Sequence, residues 1–259
     1  MSAETFGTFS ELCLADRAMY GSDADNIGTY NEKRFHRIFK RFVCEDAECY
    51  EVKVGKYVAD VLCDGHITEI QTKRFSSLTK KLEYYLENTD YTVSVVKPLI
   101  VKKRIIRADR VTGEVRRDRL SPKKEGYAEA LHELYGIREL LANKRLRVHL
   151  VFVEAEEYRY SERVRFRKSG AYENDLFPVR MTDEVVLCGA DDYARFLPDP
   201  LKDGEFCAKD YSALTGIRGR AAYSALGVLC SLGFLEKETR GRAYVFKYKN
   251  IGHSIEKSE

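Results

Sequence analysis

Tryptophan is absent from the 259 residues, and 17 tyrosines and 13 phenylalanines carry the aromatic content. No apolar run approaches the ~20 residues of a membrane span. The opening residues MSAETF lack the basic-then-apolar layout of a secretory leader. The expectation is therefore a cytoplasmic chain with no membrane partner. Seven cysteines are scattered without a single CxxC, so their spacing predicts neither a zinc site nor a disulfide framework, only reduced thiols. There is no internal repeat, no low-complexity tract, no Gly-rich phosphate loop and no Ser-His-Asp ordering. Excess charge is also lacking. Against 44 Lys and Arg stand 41 Asp and Glu, a net +3, so total charge is a weak guide to partners. The 44% hydrophobic content suits a globular chain of one or two domains.

The stretch 56–73, KYVADVLCDGHITEIQTK, organises what remains. Two alternating apolar segments flank Asp64-Gly65, a dipeptide suited to a tight hairpin turn. With a two-residue turn, positions summing to 129 face each other, which sets Asp60 opposite Glu69. Alternation places Gln71 and Lys73 on the face of Glu69. Directly opposed carboxylates destabilise a hairpin, and a divalent metal is the simplest reason to keep them.

Before the hairpin, residues 29–43 read as an amphipathic helix with Phe35, Ile38, Phe39 and Phe42 at helical spacing. Glu32, His36 and Lys40 form a neighbouring stripe. Residues 1–24 show little pattern, although Phe6, Phe9, Leu12 and Leu14 allow a short docking helix. After the hairpin come a helix near 76–87, a β-branched strand at 91–99, and a basic hairpin of 100–106 and 114–120 turning at Thr112-Gly113. Lys102, Lys103, Arg104, Arg116 and Arg117 on that ribbon suit phosphate. The offsetting acids Glu154, Glu156 and Glu157 lie elsewhere in sequence, so segregation of charge carries this reading. Another helix (127–142), a buried strand (147–154) and a second basic run (159–168) follow. The alternation of helices and strands predicts an α/β domain around a mixed sheet.

From about residue 191 the character changes. Residues 206–217 read as a short helix closed by Gly216, 218–233 as a second helix, and 234–249 as a hairpin turning at Arg240-Gly241. Helix, turn, helix, hairpin is the winged helix-turn-helix order, and the phrasing LGFLEKE…GRAYVFKY resembles that family. The resemblance implies DNA docking. Arg218 and Arg220 would open the recognition helix with Ser224 a turn further in, and Lys237, Arg240 and Arg242 would lie on the wing. Tyr223, Leu226 and Leu229 are expected in the core.

The set Glu32, Asp60, Glu69 and Gln71 resembles the PD-(D/E)xK nuclease superfamily. So does the wider pattern NEKxxHxxxK followed by ADVxxDGxxxEIQT, which looks like a group of little-characterised bacterial proteins of that fold. The resemblance covers roughly residues 27–155. It implies a restriction-endonuclease-like mixed sheet flanked by helices. It also implies Mg²⁺ or Mn²⁺ held by Asp60, Glu69 and Glu32, with His36 and Lys40 near the scissile phosphate. This chain departs from the motif at one place: Gln71 stands where the family has lysine, with Lys73 two residues on. The resulting expectation is an N-terminal extension (1–26), a nuclease-like domain (27–188) and a winged-helix domain (189–259). Together they would form a metal-dependent endonuclease or exonuclease acting on DNA, duplex rather than single-stranded, and able to form a homodimer. The alternatives are an inactive nuclease-fold DNA-binding regulator or an RNA-directed nuclease.

Overall fold

The computed structural model describes residues 3–20, 30–72, 74–109, 112, 114–161 and 173–249. The chain divides into two compact units: residues 1–73, 85–126 and 148–186 form the first, and 74–84, 127–147 and 187–259 the second. Both units are discontinuous in sequence, a division that differs from the expected boundaries at 26/27 and 188/189.

The first unit is a seven-stranded mixed sheet with helices. Helices α1 (Ala3–Tyr20) and α2 (Tyr30–Val43) come first. Strands β1 (Tyr50–Val54), β2 (Tyr57–Cys63) and β3 (His66–Ile70) follow. Helix α3 (Thr79–Asn88) precedes the long strand β4 (Thr92–Asp109), then β5 (Val115–Leu120), β6 (Leu146–Ser161) and β7 (Glu173–Cys188). The sheet order is β1-β2-β3-β4-β6-β7, with β5 paired to β4. β2 and β3 are antiparallel, while β3 and β4 run parallel. A parallel pair needs a crossover, and the segment containing α3 supplies it.

The β2–β3 hairpin closes through Asp64 (φ 48°) and Gly65 (φ 74°). Two successive positive φ angles are what a type I′ turn requires, and they fix the register. Val61 faces Thr68, Leu62 faces Ile67 and Cys63 faces His66, all summing to 129 as expected. The ladder stops there. Asp60 does not continue it, because its side chain accepts the Ile70 amide at 2.8 Å.

Phe9, Phe35, Ile38 and Phe39 bury one face of the helix pair against Ile70, Val96, Val151, Val153 and Met181. The Phe9 ring lies 5.0 Å from Phe39 and 5.3 Å from Phe42. Helix α1 is an 18-residue element where the sequence offered little periodicity. The reason is chemical: its buried line runs Phe9, Cys13, Asp16, and the third member is a carboxylate. Asp16 is 1% exposed and is held by Arg34 (3.3 Å) and Arg37 (2.6 Å) of α2. Arg34 is itself buried and lies 3.8 Å over the Phe177 ring. Leu14, expected on the docking face, is exposed.

In place of the two expected segments 91–99 and 100–106 there is one 18-residue strand, β4. The second unit contains α4 (Tyr127–Leu134), the short strand β8 (Glu205–Cys207), α5 (Ala208–Thr215), α6 (Arg220–Ser231), and strands β9 (Leu235–Arg240) and β10 (Ala243–Tyr248). β8, β10 and β9 form a three-stranded antiparallel sheet. Phe206 therefore lies within a strand rather than opening a helix. Gly216 ends α5 in the left-handed region (φ 74°), where glycine costs least.

Candidate functional site

Asp60 and Glu69 sit on adjacent strands, both just past the end of the hairpin ladder, and Glu69 pairs with Val95 of β4. Asp60 is half-buried, and the Ile70 amide fixes its Oδ2. Glu69 is 2% exposed. Its Oε1 accepts a hydrogen bond from the Tyr85 hydroxyl of α3 at 3.3 Å. Burial pushes the Tyr85 phenol far up, and the Glu69 and Asp60 carboxylates push it further, so it stays a donor.

Helix α2 brings two cationic or potentially cationic groups to Asp60. His36 Nδ1 lies 3.8 Å from Asp60 Oδ2, and Lys40 Nζ lies 3.8 Å from Oδ1. Lys40 also pairs with Glu51 on β1. Glu51 adopts φ 53°, a left-handed conformation rare for a side chain of its size. Asp60 is thus compensated from within the chain by Lys40, so its place on the strand beside Glu69 does not alone require a divalent ion. The backbone of Glu32 lies on α2, but its side chain, like all of Lys73, is outside the described residues.

Gln71 is 6% exposed, and its amide donates to Val96 O at 2.9 Å. One register step beyond the Ile70–Val96 pair, alternation places Lys97 beside Gln71, on the face of Glu69 and Val95. Lys97 is 3% exposed, with Nζ 3.5 Å from Thr72 O. Sequence reasoning passed over it, although a lysine inside the apolar run VSVVKPLI was a visible signal, since lysine is seldom buried without purpose.

A second polar row crosses four strands of the same sheet. His66 Nε2 lies 2.9 Å from Ser94 Oγ, which lies 3.1 Å from His149 Nε2; His149 Nδ1 is 2.8 Å from Glu184 Oε1. The order suggests a nucleophile, base and orienting acid. Ser94 is only 4% exposed and shares its hydroxyl between two imidazoles, so this row is a satisfied buried network.

The basic ribbon is not segregated from acid. Lys102 lies 3.6 Å from Glu154, Lys103 lies 2.6 Å from Glu157, and Arg104 grips Asp118 and stands 3.7 Å from Glu156. Arg116 pairs with Asp109 at 2.7 Å. β6 neighbours β4, and that pairing brings the sequence-distant acids onto the ribbon. Arg117 is exposed and faces Arg107 across the ladder. Of the run at 159–168, Arg159 bonds Glu157 at 2.6 Å, and residues 162–168 lie outside the described ones.

In the second unit Arg218 precedes α6 and Arg220 opens it, both exposed. Ser224 is 7% exposed, with Oγ 2.9 Å from His132 Nδ1. A Cβ added at Gly227 would come 2.5 Å from Tyr135 Cε2. That face of α6 packs against α4 and the turn after it, so Ser224 does not reach outward as expected. Leu226 and Leu229 are core, whereas Tyr223 is 52% exposed, against expectation. A hollow of about 360 Å³ lies among Arg220, Tyr223, Lys237 and Tyr244. Lys237 Nζ sits 3.6 Å over the Tyr244 ring. Arg240 is held by Glu205 (2.6 Å) and Glu238 (2.7 Å), and Arg242 is exposed at the turn.

Among the described residues, the only three His, Cys, Asp or Glu side chains whose ligand atoms all lie within 4.8 Å of one another are Cys44, Cys49 and Cys63. The cysteine spacing in sequence predicts no such site, and the fold brings these three thiols together. No described helix is long and apolar enough to cross a membrane. No curated protein and no solved structure matches the chain. A domain of unknown function (DUF8091) matches residues 33–188, which takes in the hairpin, Asp60, Glu69, Gln71 and the basic ribbon, and the chain belongs to that family.

Proposed function

We propose that the chain is a metal-dependent nuclease hydrolysing DNA phosphodiester bonds, of restriction-endonuclease-like fold, with a winged-helix unit that docks DNA. One observation carries the reading. A half-buried aspartate and a buried glutamate lie on adjacent strands, each anchored by a donor, with His36 and Lys40 of α2 beside the aspartate. Their carboxylates are hard oxygen donors of the kind Mg²⁺ and Mn²⁺ prefer, so Asp60 and Glu69 fit as ligands; the resemblance adds Glu32, whose side chain lies outside the described residues. A bound ion would acidify water and offset charge on the phosphate.

The chain's own groups do the rest. The Ile70 amide and the Tyr85 hydroxyl aim the two carboxylates. Lys40 and His36, both beside Asp60, would add positive charge toward the anionic substrate. Lys97 carries positive charge on the strand beside Gln71, where the family motif has its lysine. Water adds to phosphorus, one P–O bond breaks, and the leaving oxygen takes up a proton. In the second unit the order β8, α5, α6, β9, β10 supports the winged-helix assignment. Arg218, Arg220 and Arg242 are its exposed contacts for phosphate.

Gln71 itself favours a second reading, a regulator that binds DNA without cutting it. Purified protein with plasmid and Mg²⁺ or Mn²⁺ separates the two, beside Asp60→Ala and Glu69→Ala. Cleavage lost in both variants supports the nuclease. Equal cleavage in all three proteins marks a contaminant, and DNA binding with no cleavage supports the regulator. Binding measured in parallel on RNA tests the substrate class, and preference for RNA overturns it.

A further inference from the structure

Cys44 follows the last residue of α2, and its amide closes on Lys40 O at 2.9 Å. Cys49 ends a single helical turn, residues 47–49, that Asp46 caps through the Glu48 amide at 2.9 Å. Tyr50 donates its hydroxyl to Cys44 O, folding this connection back on itself. Cys63 is the last residue of β2. Three separate elements therefore deliver three sulfurs to one point, all within 4.8 Å of one another. All three residues are partly exposed, so an ion can reach them from solvent.

We propose that Cys44, Cys49 and Cys63 bind one Zn²⁺ ion, with the fourth position open to water or another exogenous donor. Thiolates are soft donors that select zinc over magnesium or calcium. Zinc–sulfur bonds of about 2.3 Å set tetrahedral sulfurs roughly 3.8 Å apart, a small side-chain contraction from the present cluster. Zinc binding would release the thiol protons of the three ligands. Four residues separate Cys44 from Cys49 and thirteen separate Cys49 from Cys63, a spacing with no CxxC signature. The site would clamp the end of α2 to β2, three residues from Asp60. It stands apart from the nuclease reading, because its test reads metal and not cleavage.

The full chain, reduced and stripped of metal, is titrated with Co²⁺ and then with Zn²⁺. One equivalent of Co²⁺ should give an intense sulfur-to-cobalt charge-transfer band, which Zn²⁺ displaces. Cys44→Ser, Cys49→Ser and Cys63→Ser should each lose stoichiometric binding, while Cys207→Ser keeps it. Because a site variant could fail to fold, the wild-type chain is also alkylated with and without Zn²⁺ and mapped by mass spectrometry. Protection confined to residues 44, 49 and 63 supports the site. Absence of the cobalt band, or protection at other cysteines, overturns it.

Discussion

At Glu69 a carboxylate is 2% exposed with a phenol as its partner. Removing one partner of a buried polar pair leaves the other with its desolvation penalty, about 1–3 kcal/mol. Tyr85→Phe keeps the ring and deletes only that donor. It should lower stability by about that amount in urea unfolding, and slow any plasmid cleavage because Glu69 is no longer aimed. Lys97 gives the opposite pairing of effects. A buried ammonium contributes little to stability against an apolar isostere, so Lys97→Met should leave the unfolding midpoint near wild type or raise it. If Lys97 supplies the charge absent at Gln71, cleavage should fall by roughly 10²-fold, the scale for losing one preorganised cation or donor. A variant that cuts at the wild-type rate would confine Lys97 to a structural role.

At the scale of elements, the ion-paired ribbon has an acid-dependent consequence. The Arg180 hydrogen bond, reinforced by Lys102, holds the Glu154 carboxyl below its ordinary 4.5 despite burial. Burial pushes Glu157 up, but hydrogen bonds from Arg159 and Lys103 outweigh it and hold this carboxyl low as well. A depressed folded-state pKa means the unfolded chain binds more protons. The contribution is complete above 4.5 and is lost as pH falls through the depressed values. Glu157→Gln should therefore be less stable than wild type at neutral pH, and the two stability curves should converge in acid. Urea midpoints across that range measure it, and parallel curves would rule out the linkage.

The β2–β3 hairpin was legible in the sequence because its turn chemistry and alternation agree, and the register follows from Asp64 and Gly65. The same logic missed what sequence-distant segments contribute. Helix α1 hid its period behind the buried Asp16, whose partners Arg34 and Arg37 lie on another helix. The ribbon looked strongly basic because, beyond its own Asp109 and Asp118, the acids that offset it arrive on β6, some fifty residues away. Pairs within one hairpin can be read from sequence, but a cluster assembled from a helix end, a turn and a strand end cannot. Cys44, Cys49 and Cys63 are such a cluster.

For the molecule as a whole, under the proposed function, the distribution of paired and exposed cations would decide how it meets nucleic acid. A formal +3 leaves no large excess of positive field, and much of the ribbon is already neutralised by Glu154, Glu156, Glu157 and Asp118. On that proposal, phosphate contacts would come mainly from exposed side chains such as Arg117 on the ribbon and Arg218, Arg220 and Arg242 in the second unit. Each phosphate neutralised contributes about −0.9 to the slope of log affinity against log salt on duplex DNA. Arg218→Ala combined with Arg220→Ala should make that slope shallower by about 2 and weaken binding to all duplex sequences alike. Arg117→Ala should remove about 1. Arg104 is already clamped by Asp118, so Arg104→Ala should leave the count of released counterions nearly unchanged. Fluorescence anisotropy on a labelled duplex across a salt series reads all three. A slope that drops as much for Arg104→Ala as for Arg117→Ala would mean the ribbon's ion pairs open on binding, making the whole strand pair a phosphate surface.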